Sequence, residues 1–495
     1  MNPSERRSYL QDLERFGIKL GLGNITNLLS AFRDPQGYFP CVHVAGTNGK
    51  GSVCAMLAEI LSRHKLKVGL YTSPHLVRVE ERIRVSGRMI PAKDFTRLLS
   101  SVRSRIELLL RQKRLEAHPT FFEVLTILAF LYFREKKVDI AVLETGMGGR
   151  FDATNVVTPL VSVITSISLD HQEHLGSTIA RIAFEKAGII KPGVPVVCGV
   201  EDSRALTVIG KKARMMRAPL VRPFGKDGRL ESRKTRHGYR FIYKFHGEEF
   251  RYVPSLAGAH QGSNAAIAIA AAGIISRTWR PLRKKLVIDG IERARWEGRL
   301  EAVGRNPAIL LDGAHNEAGA LLLKTFIRDR CRLKPVLIFA VMKDKAIPRM
   351  VRILFPEAQK VFLPALSYPR AARPEDILGL ARPFRNRIQV VPALKDAIAA
   401  ARAEAGFRGT VLITGSLILV GEAKKIFGRT VPVSAPAPSG TSPVGSPRRK
   451  TDGSPLRYGG LWADSGAVSN QANGNVSKPN VSPDLSDEKR RNSRP

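Results

Sequence analysis

Cys41-Val-His-Val-Ala-Gly-Thr-Asn-Gly-Lys-Gly-Ser52 opens as a short apolar run and breaks into a glycine-rich loop with one lysine. The residues that follow, to about Arg63, carry helical periodicity. Strand, loop and helix in that order make a phosphate-binding loop: glycine lets backbone N–H groups approach an anion, Lys50 adds charge and the helix N-terminus adds its dipole. The pattern departs from G-x-x-x-x-G-K-[ST], because Val44 stands in the first glycine position and Gly51 separates Lys50 from Ser52. A plain glycine-rich turn is the structural alternative.

Outward from this loop, short apolar runs alternate with helical patterns: VGLYT (68–72), helices near 93–113 and 120–136, then DIAVLE (139–144). Continuous β-branched runs separated by helices predict a mainly parallel sheet covered on both faces. Alternate aromatics from Tyr239 to Phe245, then Phe250 and Tyr252, predict an antiparallel hairpin. A second βα series follows Trp296: AILLD (308–312), VLIFAV (336–341), KVFL (360–363), IQVV (388–391) and TVLIT (410–414). The expected class is α/β, with a phosphate-loop domain over 1–295 and a second, smaller doubly wound domain over 296–430. The Ser-, Pro-, Gly- and Asn-rich segment 431–495 is expected to be a disordered tail.

The 495 residues hold 80 Lys and Arg against 43 Asp and Glu, a net charge of +37. The tail supplies nine of the basic and five of the acidic residues, so most of the surplus belongs to the folded part. Such a surplus suits nucleotides and acidic metabolites. It is spread along the chain rather than gathered in a patch, so no specific nucleic-acid partner is expected. The four cysteines are far apart with no C-x-x-C pair, which excludes a zinc ribbon and a secreted disulfide framework and points to a reducing, cytoplasmic compartment. No signal-peptide core or membrane-length apolar stretch is present, so no membrane association is expected.

Several residues carry chemistry by position. Glu144 ends an apolar strand, where parallel sheets place ligand-binding groups, and a carboxylate there suits a hard cation such as Mg²⁺; a surface or helix-cap carboxylate is the alternative. Asp312 ends a strand in the same way. Gly146, Gly148 and Gly149 allow a tight loop beside Glu144, with Asp152 and Asn155 as polar groups. Phe121 and Phe122 could stack on a planar heterocycle, although aromatics at a helix start are commonly core, and Thr120 with Glu123 also fits a capping box. By pattern alone, Lys186 is an exposed helix lysine, His171 a hydrogen-bonding histidine and Asn264 a helix cap.

The segment GTNGKGS resembles the Mur ligase superfamily and, with Gly-Ser after the lysine, its folate branch. Thr72-Ser-Pro-His-Leu76, Glu81-Arg-Ile83, Glu144-Thr-Gly-Met-Gly-Gly-Arg-Phe-Asp-Ala-Thr-Asn155, Leu169-Asp-His171 and Glu185-Lys-Ala-Gly188 look like the motifs of bifunctional dihydrofolate synthase/folylpolyglutamate synthases in their usual order, over about residues 1–428. The resemblance implies ATP contacts at Thr47, Asn48, Gly49, Lys50, Gly51, Ser52, Asn264, Arg299 and Asp312. It implies metal contacts at Ser73, Glu144, His171 and Lys186, the last carbamylated and helping to hold a second Mg²⁺. Pterin or folate would meet Leu20, Gly21, Leu22, Arg82, Phe121, Phe122, Glu123, Phe151, Asp152 and Ala153. The incoming glutamate would meet His315 and Ser416. Lys50, Lys186 and His315 would be catalytic. Glu317 stands where the family usually has proline.

The implied reaction joins L-glutamate to dihydropteroate and to reduced folates, with ATP as cosubstrate and two Mg²⁺ ions, in a monomer. A folate-only enzyme, a Mur-type ligase acting on a cell-wall nucleotide precursor, and a basic nucleotide-dependent nucleic-acid binder are the alternatives.

Overall fold

A computed structural model describes residues 1–428 except 16, 18–20, 226 and 236–237, so Leu20 and the segment 431–495 lie outside the described residues. In the N-terminal half, β1 (Cys41–Ala45), β2 (Val68–Tyr71), β3 (Ile83–Val85), β4 (Arg88–Met89), β5 (Ile140–Glu144), β6 (Val161–Ile164), β7 (Val196–Cys198) and β8 (Leu220–Val221) form one sheet in the order β4-β3-β2-β5-β1-β6-β7-β8. β1 runs parallel to β5 and β6, its neighbours on either side. All three are buried at every position, which is why they lack polar alternation.

One face of this sheet is covered by helices Ala92–Arg111 and Phe121–Glu135, the other by Lys50–Arg63 and the apolar helix His260–Thr278. The helix Lys284–Arg293 lies directly on Lys50–Arg63, and Gly290 sets how close they come. A Cβ at Gly290 would stand 2.6 Å from Ile60 Cα, a backbone atom that cannot swing away. Gly290→Ala is therefore expected to destabilise the fold by about 1–3 kcal/mol through overpacking, measured by urea unfolding. A change below about 0.5 kcal/mol would contradict this packing.

The expected hairpin is present as β10 (Gly238–Phe245) and β11 (Glu248–Tyr252), but a third strand precedes it, β9 (Gly228–Thr235), paired antiparallel to β10. β9 reads GRLESRKT and exposes most of its side chains, so no hydrophobic alternation marks it in the sequence. The aromatics of β10 and β11 point into the core, as their alternation required.

The second series forms a six-stranded sheet from β12 (Glu301–Arg305), β13 (Ala308–Asp312), β14 (Val336–Phe339), β15 (Lys360–Leu363), β16 (Ile388–Val390) and β17 (Thr410–Thr414). Its order is β12-β13-β17-β14-β15-β16. Five strands match the expected runs; β12, an antiparallel edge strand bulged between Ala302 and Gly304, was not anticipated. Both sheets turn the carboxyl ends of their central strands toward one cleft, and in the first sheet β1 is the switch point where such folds bind ligands. Among the described residues no helix is long and apolar enough to cross a membrane.

Candidate active site

The phosphate loop is built by contacts to the segment after β6. Thr47 N–H donates to Ser166 O at 2.8 Å, Asn48 N–H to Ser166 Oγ at 3.0 Å, and Thr165 Oγ1 to Asn48 O at 2.7 Å. Gly46 has φ +152°, and a Cβ there would fall 1.9 Å from Thr165 Oγ1, so only glycine fits. Gly51, the residue inserted after Lys50, has its own reason: a Cβ there would stand 2.5 Å from Trp296 Nε1. The Lys50 ammonium turns back on the loop, donating to Gly46 O at 3.0 Å and Thr47 O at 3.2 Å.

Around this loop lies a cleft enclosing about 150 Å³, and every residue nominated for ATP, metal or catalysis lines it. Glu144 is buried, and its Oε2 accepts Ser73 N–H at 3.1 Å. Burial raises its pKa, against the opposing charge of Lys50. Among the described residues no ion pair reaches this carboxylate. A buried carboxylate in that position fits a cation. His171 holds a left-handed φ of +49°, and burial lowers its pKa to about 4, leaving a neutral imidazole with a free-electron-pair nitrogen. Among the described residues no group of three His, Cys, Asp or Glu side chains is placed to hold a metal.

Lys186 overturns the pattern-based reading of an exposed lysine. It sits on helix Ile179–Ala187, is 4% exposed, and donates to Gly46 O at 2.9 Å. Burial, then the charge of Lys50, lowers its pKa to about 7. Asn264 is also no cap, since its helix begins at His260; its Nδ2 donates to Gln261 Oε1 at 2.9 Å and its Oδ1 lies against Gly49.

Across the cleft, Asp312 is buried with both oxygens engaged, by Leu300 N–H at 3.0 Å and Ala314 N–H at 2.9 Å. Burial raises its pKa while Arg299 opposes the shift. Asn316 caps helix Glu317–Arg330 and accepts Gly319 N–H at 2.8 Å. Glu317 in place of proline fits this geometry, because a carboxylate in the first helical turn complements the dipole and here pairs with Arg349 at 2.7 Å. Ser416 caps helix Leu417–Phe427 by accepting Leu419 N–H at 3.1 Å; Leu417 lines the cleft, whereas Ser416 is buried and not part of its lining.

Two residues that sequence reasoning did not single out join the halves. Asp170 receives Lys345 Nζ at 2.7 Å and Asn316 Nδ2 at 2.9 Å, with His315 Nε2 at 3.5 Å. Burial works to raise the Asp170 pKa, but His315, His171 and Lys345 outweigh it and hold this carboxyl well below the usual carboxylate range. Lys345 is itself only 7% exposed. Asp170 lay inside the quoted Leu-Asp-His motif, whereas Lys345 had no signal of its own in the sequence.

The described residues nominated for pterin lie outside the lining of this cleft. Arg82 lies over the Phe121 ring at 5.2 Å and donates from Nε to His75 Nδ1 at 3.0 Å. Phe122 stacks on Tyr71 with centroids 5.8 Å apart and packs against Gly146, which lines the cleft. Glu123 is committed to the capping box with Thr120, as the structural alternative had it. Asp152 accepts Met147 N–H at 2.9 Å and Thr154 N–H at 3.0 Å, Ala153 is buried beside it, and Arg150 lies over Phe151 at 4.5 Å. Leu22 precedes helix Gly23–Ser30 and packs on the core next to Gly21.

Residues 44–272 match the Mur ligase middle domain, and residues 298–417 the Mur ligase, glutamate ligase domain. The chain is 36% identical over 425 residues to dihydrofolate synthase/folylpolyglutamate synthase of Bacillus subtilis, covering 85% of this chain and 98% of that one. Mycobacterium tuberculosis folylpolyglutamate synthase complexed with ADP superposes with a TM-score of 0.79 at 30% identity, over 85% of this chain and 99% of that chain. Escherichia coli FolC in complex with DHPP and ADP gives 0.75 at 30% identity, over 85% and 97%. These matches run through both halves of the cleft, and the chain belongs to the dihydrofolate synthase/folylpolyglutamate synthase family of Mur ligases.

Proposed function

We propose that this chain is an ATP-dependent ligase that adds L-glutamate to dihydropteroate and to tetrahydrofolate or its polyglutamates, releasing ADP and phosphate. The observation that carries the reading is the convergence in one cleft of Lys50, Glu144 and Lys186 from the N-terminal half with Arg299, Asp312 and His315 from the C-terminal half. Relatives with both names, and neighbours holding ADP and DHPP, support it.

An amine does not usefully displace oxide from a carboxylate, so the acceptor carboxylate first takes the γ-phosphoryl group and becomes an acyl phosphate. The phosphate-loop amides and Lys50 stabilise charge on that group. Glu144, Ser73, His171 and, once carbamylated, Lys186 would hold Mg²⁺, which supplies charge neutralisation at the phosphates when bound. The glutamate amine then attacks the acyl carbon, and phosphate leaves. His315 and Ser416 are assigned to glutamate, Asn264, Arg299 and Asp312 to the nucleotide, and the group from Arg82 to Ala153 to the pterin. Residues 1–295 would bind ATP and acceptor, and 296–430 glutamate; closure of the two excludes water from the acyl phosphate. We read the protein as a cytoplasmic monomer with two Mg²⁺ ions.

The test is ADP release with ATP, Mg²⁺ and L-glutamate, comparing dihydropteroate, tetrahydrofolate and no acceptor, with product mass recorded. Glutamate adducts on both acceptors are expected. An adduct on tetrahydrofolate alone would restrict the enzyme to folate, and adducts on neither, from protein that binds ATP, would overturn the assignment.

A further inference from the structure

His43 sits in the middle of β1, fully buried, three residues before the phosphate loop and outside the cleft lining. A buried polar side chain in a central strand needs a partner, and its Nε2 has one: Thr154 Oγ1 at 2.7 Å. Thr154 Oγ1 in turn contacts Asp152 Oδ1, whose carboxylate also accepts the N–H groups of Thr154 at 3.0 Å and Met147 at 2.9 Å.

Proton counting orients this chain. Burial raises the Asp152 pKa, but each of its oxygens already accepts a backbone N–H, which opposes that rise and favours the ionised carboxylate, so the single Thr154 hydroxyl hydrogen goes to Asp152. The hydroxyl then has only lone pairs left for His43, and Nε2 must carry the hydrogen. His43 Nδ1 has no partner among the described residues, which suits a bare nitrogen better than a buried N–H. Burial, reinforced by the charge of Lys191, lowers the His43 pKa to about 3, consistent with a neutral ring.

The far end of the chain is Met147, whose neighbours Gly146 and Gly148 line the cleft with it. The loop that follows β5 is thus tied by three consecutive hydrogen bonds to the strand that delivers the phosphate loop. We propose that His43, acting through Thr154 and Asp152, is a positioning residue that holds the loop from Gly146 to Ala153 at its working distance from the phosphate loop and so sets acceptor affinity without setting ATP affinity. The kinetic half of this inference rests on the reading of that loop as the acceptor side; the hydrogen-bond half does not.

Two measurements test it on the full chain. Imidazole ¹⁵N NMR of histidine-labelled protein should show His43 as a neutral ring with hydrogen on Nε2; hydrogen on Nδ1 or an imidazolium would overturn the relay. Kinetics well below each variant's melting temperature should show the KM for acceptor raised at least about fivefold in His43→Leu and Thr154→Val, with the KM for ATP within about twofold of wild type. His43→Gln, which keeps an N–H donor, and Thr154→Ser, which keeps the hydroxyl, should restore the acceptor KM to within about twofold. If His43→Leu does not fold, the Thr154 pair carries the comparison. A lowered melting temperature with both KM values unchanged would make the chain a stabilising feature only and sink the positioning role, as would an equal rise in both KM values. Absence of acceptor-dependent turnover in the wild type would refute the functional reading instead, with the tautomer still decided by NMR.

Discussion

Lys186→Ala should lower turnover at least about a hundredfold, close to 3 kcal/mol of transition-state stabilisation, while shifting the melting temperature by only a few degrees. The asymmetry follows from where the side chain is. Its ammonium is buried beside Lys50 and held by one carbonyl, Gly46 O at 2.9 Å, which is poor solvation for a cation. Removing it relieves a desolvated amine, and that gain offsets part of the cavity left by its stem.

With a pKa of about 7, roughly half of the Lys186 amines are neutral at neutral pH, against on the order of one in a few thousand for an ordinary lysine. A neutral amine is the form that can combine with CO₂, so this environment favours the carbamate that would turn a cation into a metal-binding carboxylate. Short carboxylates such as acetate or propionate should restore part of the activity to Lys186→Ala. The sign of the stability effect is also set. Between pH 7 and about 10.4 the unfolded chain holds one more proton than the folded one, so this residue makes stability rise with pH across that window and contributes no slope below it. Urea unfolding of wild type and Lys186→Ala in CO₂-free buffer at both ends of the window would show it. Unchanged turnover in the variant at saturating Mg²⁺ would remove Lys186 from the site.

Asp170→Asn should be the other large effect, lowering kcat/KM at least about tenfold through the loss of the contact between the two halves. The substitution leaves Lys345, 7% exposed, with the longer 3.4 Å contact to Asp344 as its remaining carboxylate partner, so the cost falls below the roughly 3–5 kcal/mol of a buried charge stripped of its only partner. Lys345→Met removes the other charge. The pair of substitutions together should cost less than the sum of the two alone, with a coupling of at least about 1 kcal/mol in unfolding free energy. Additivity would mean that the ion pair does not link the halves.

Much of the architecture was legible because its signals are local. β1, β13, β15 and β17 coincide with continuous apolar runs, and the phosphate loop was readable because strand, glycines, lysine and helix are contiguous. Glu144 was readable because it ends such a run. β9 was not, since an exposed edge strand of GRLESRKT shows no apolar period. The burial of Lys186 could not be read from its helix either, because its partner Gly46 is 140 residues away. Lys345 meets Asp170 across 175 residues, and neither side has a local pattern announcing the other. The site roles assigned to Glu123 and Ser416 compete with caps that the same residues make, a competition that the sequence showed for Glu123 through its capping box and hid for Ser416.

Activation of the acceptor carboxylate by phosphoryl transfer is the central step of the proposed reaction, and oxygen labelling tests it directly. Acceptor carrying ¹⁸O in its reacting carboxylate is turned over with ATP and L-glutamate, and the released phosphate is weighed by mass spectrometry. Transfer of one ¹⁸O atom into each phosphate formed is the expected result, since the carboxylate oxygen becomes the bridge of the acyl phosphate and leaves with phosphorus. Phosphate free of the label, with labelled amide product still formed, would contradict the mechanism.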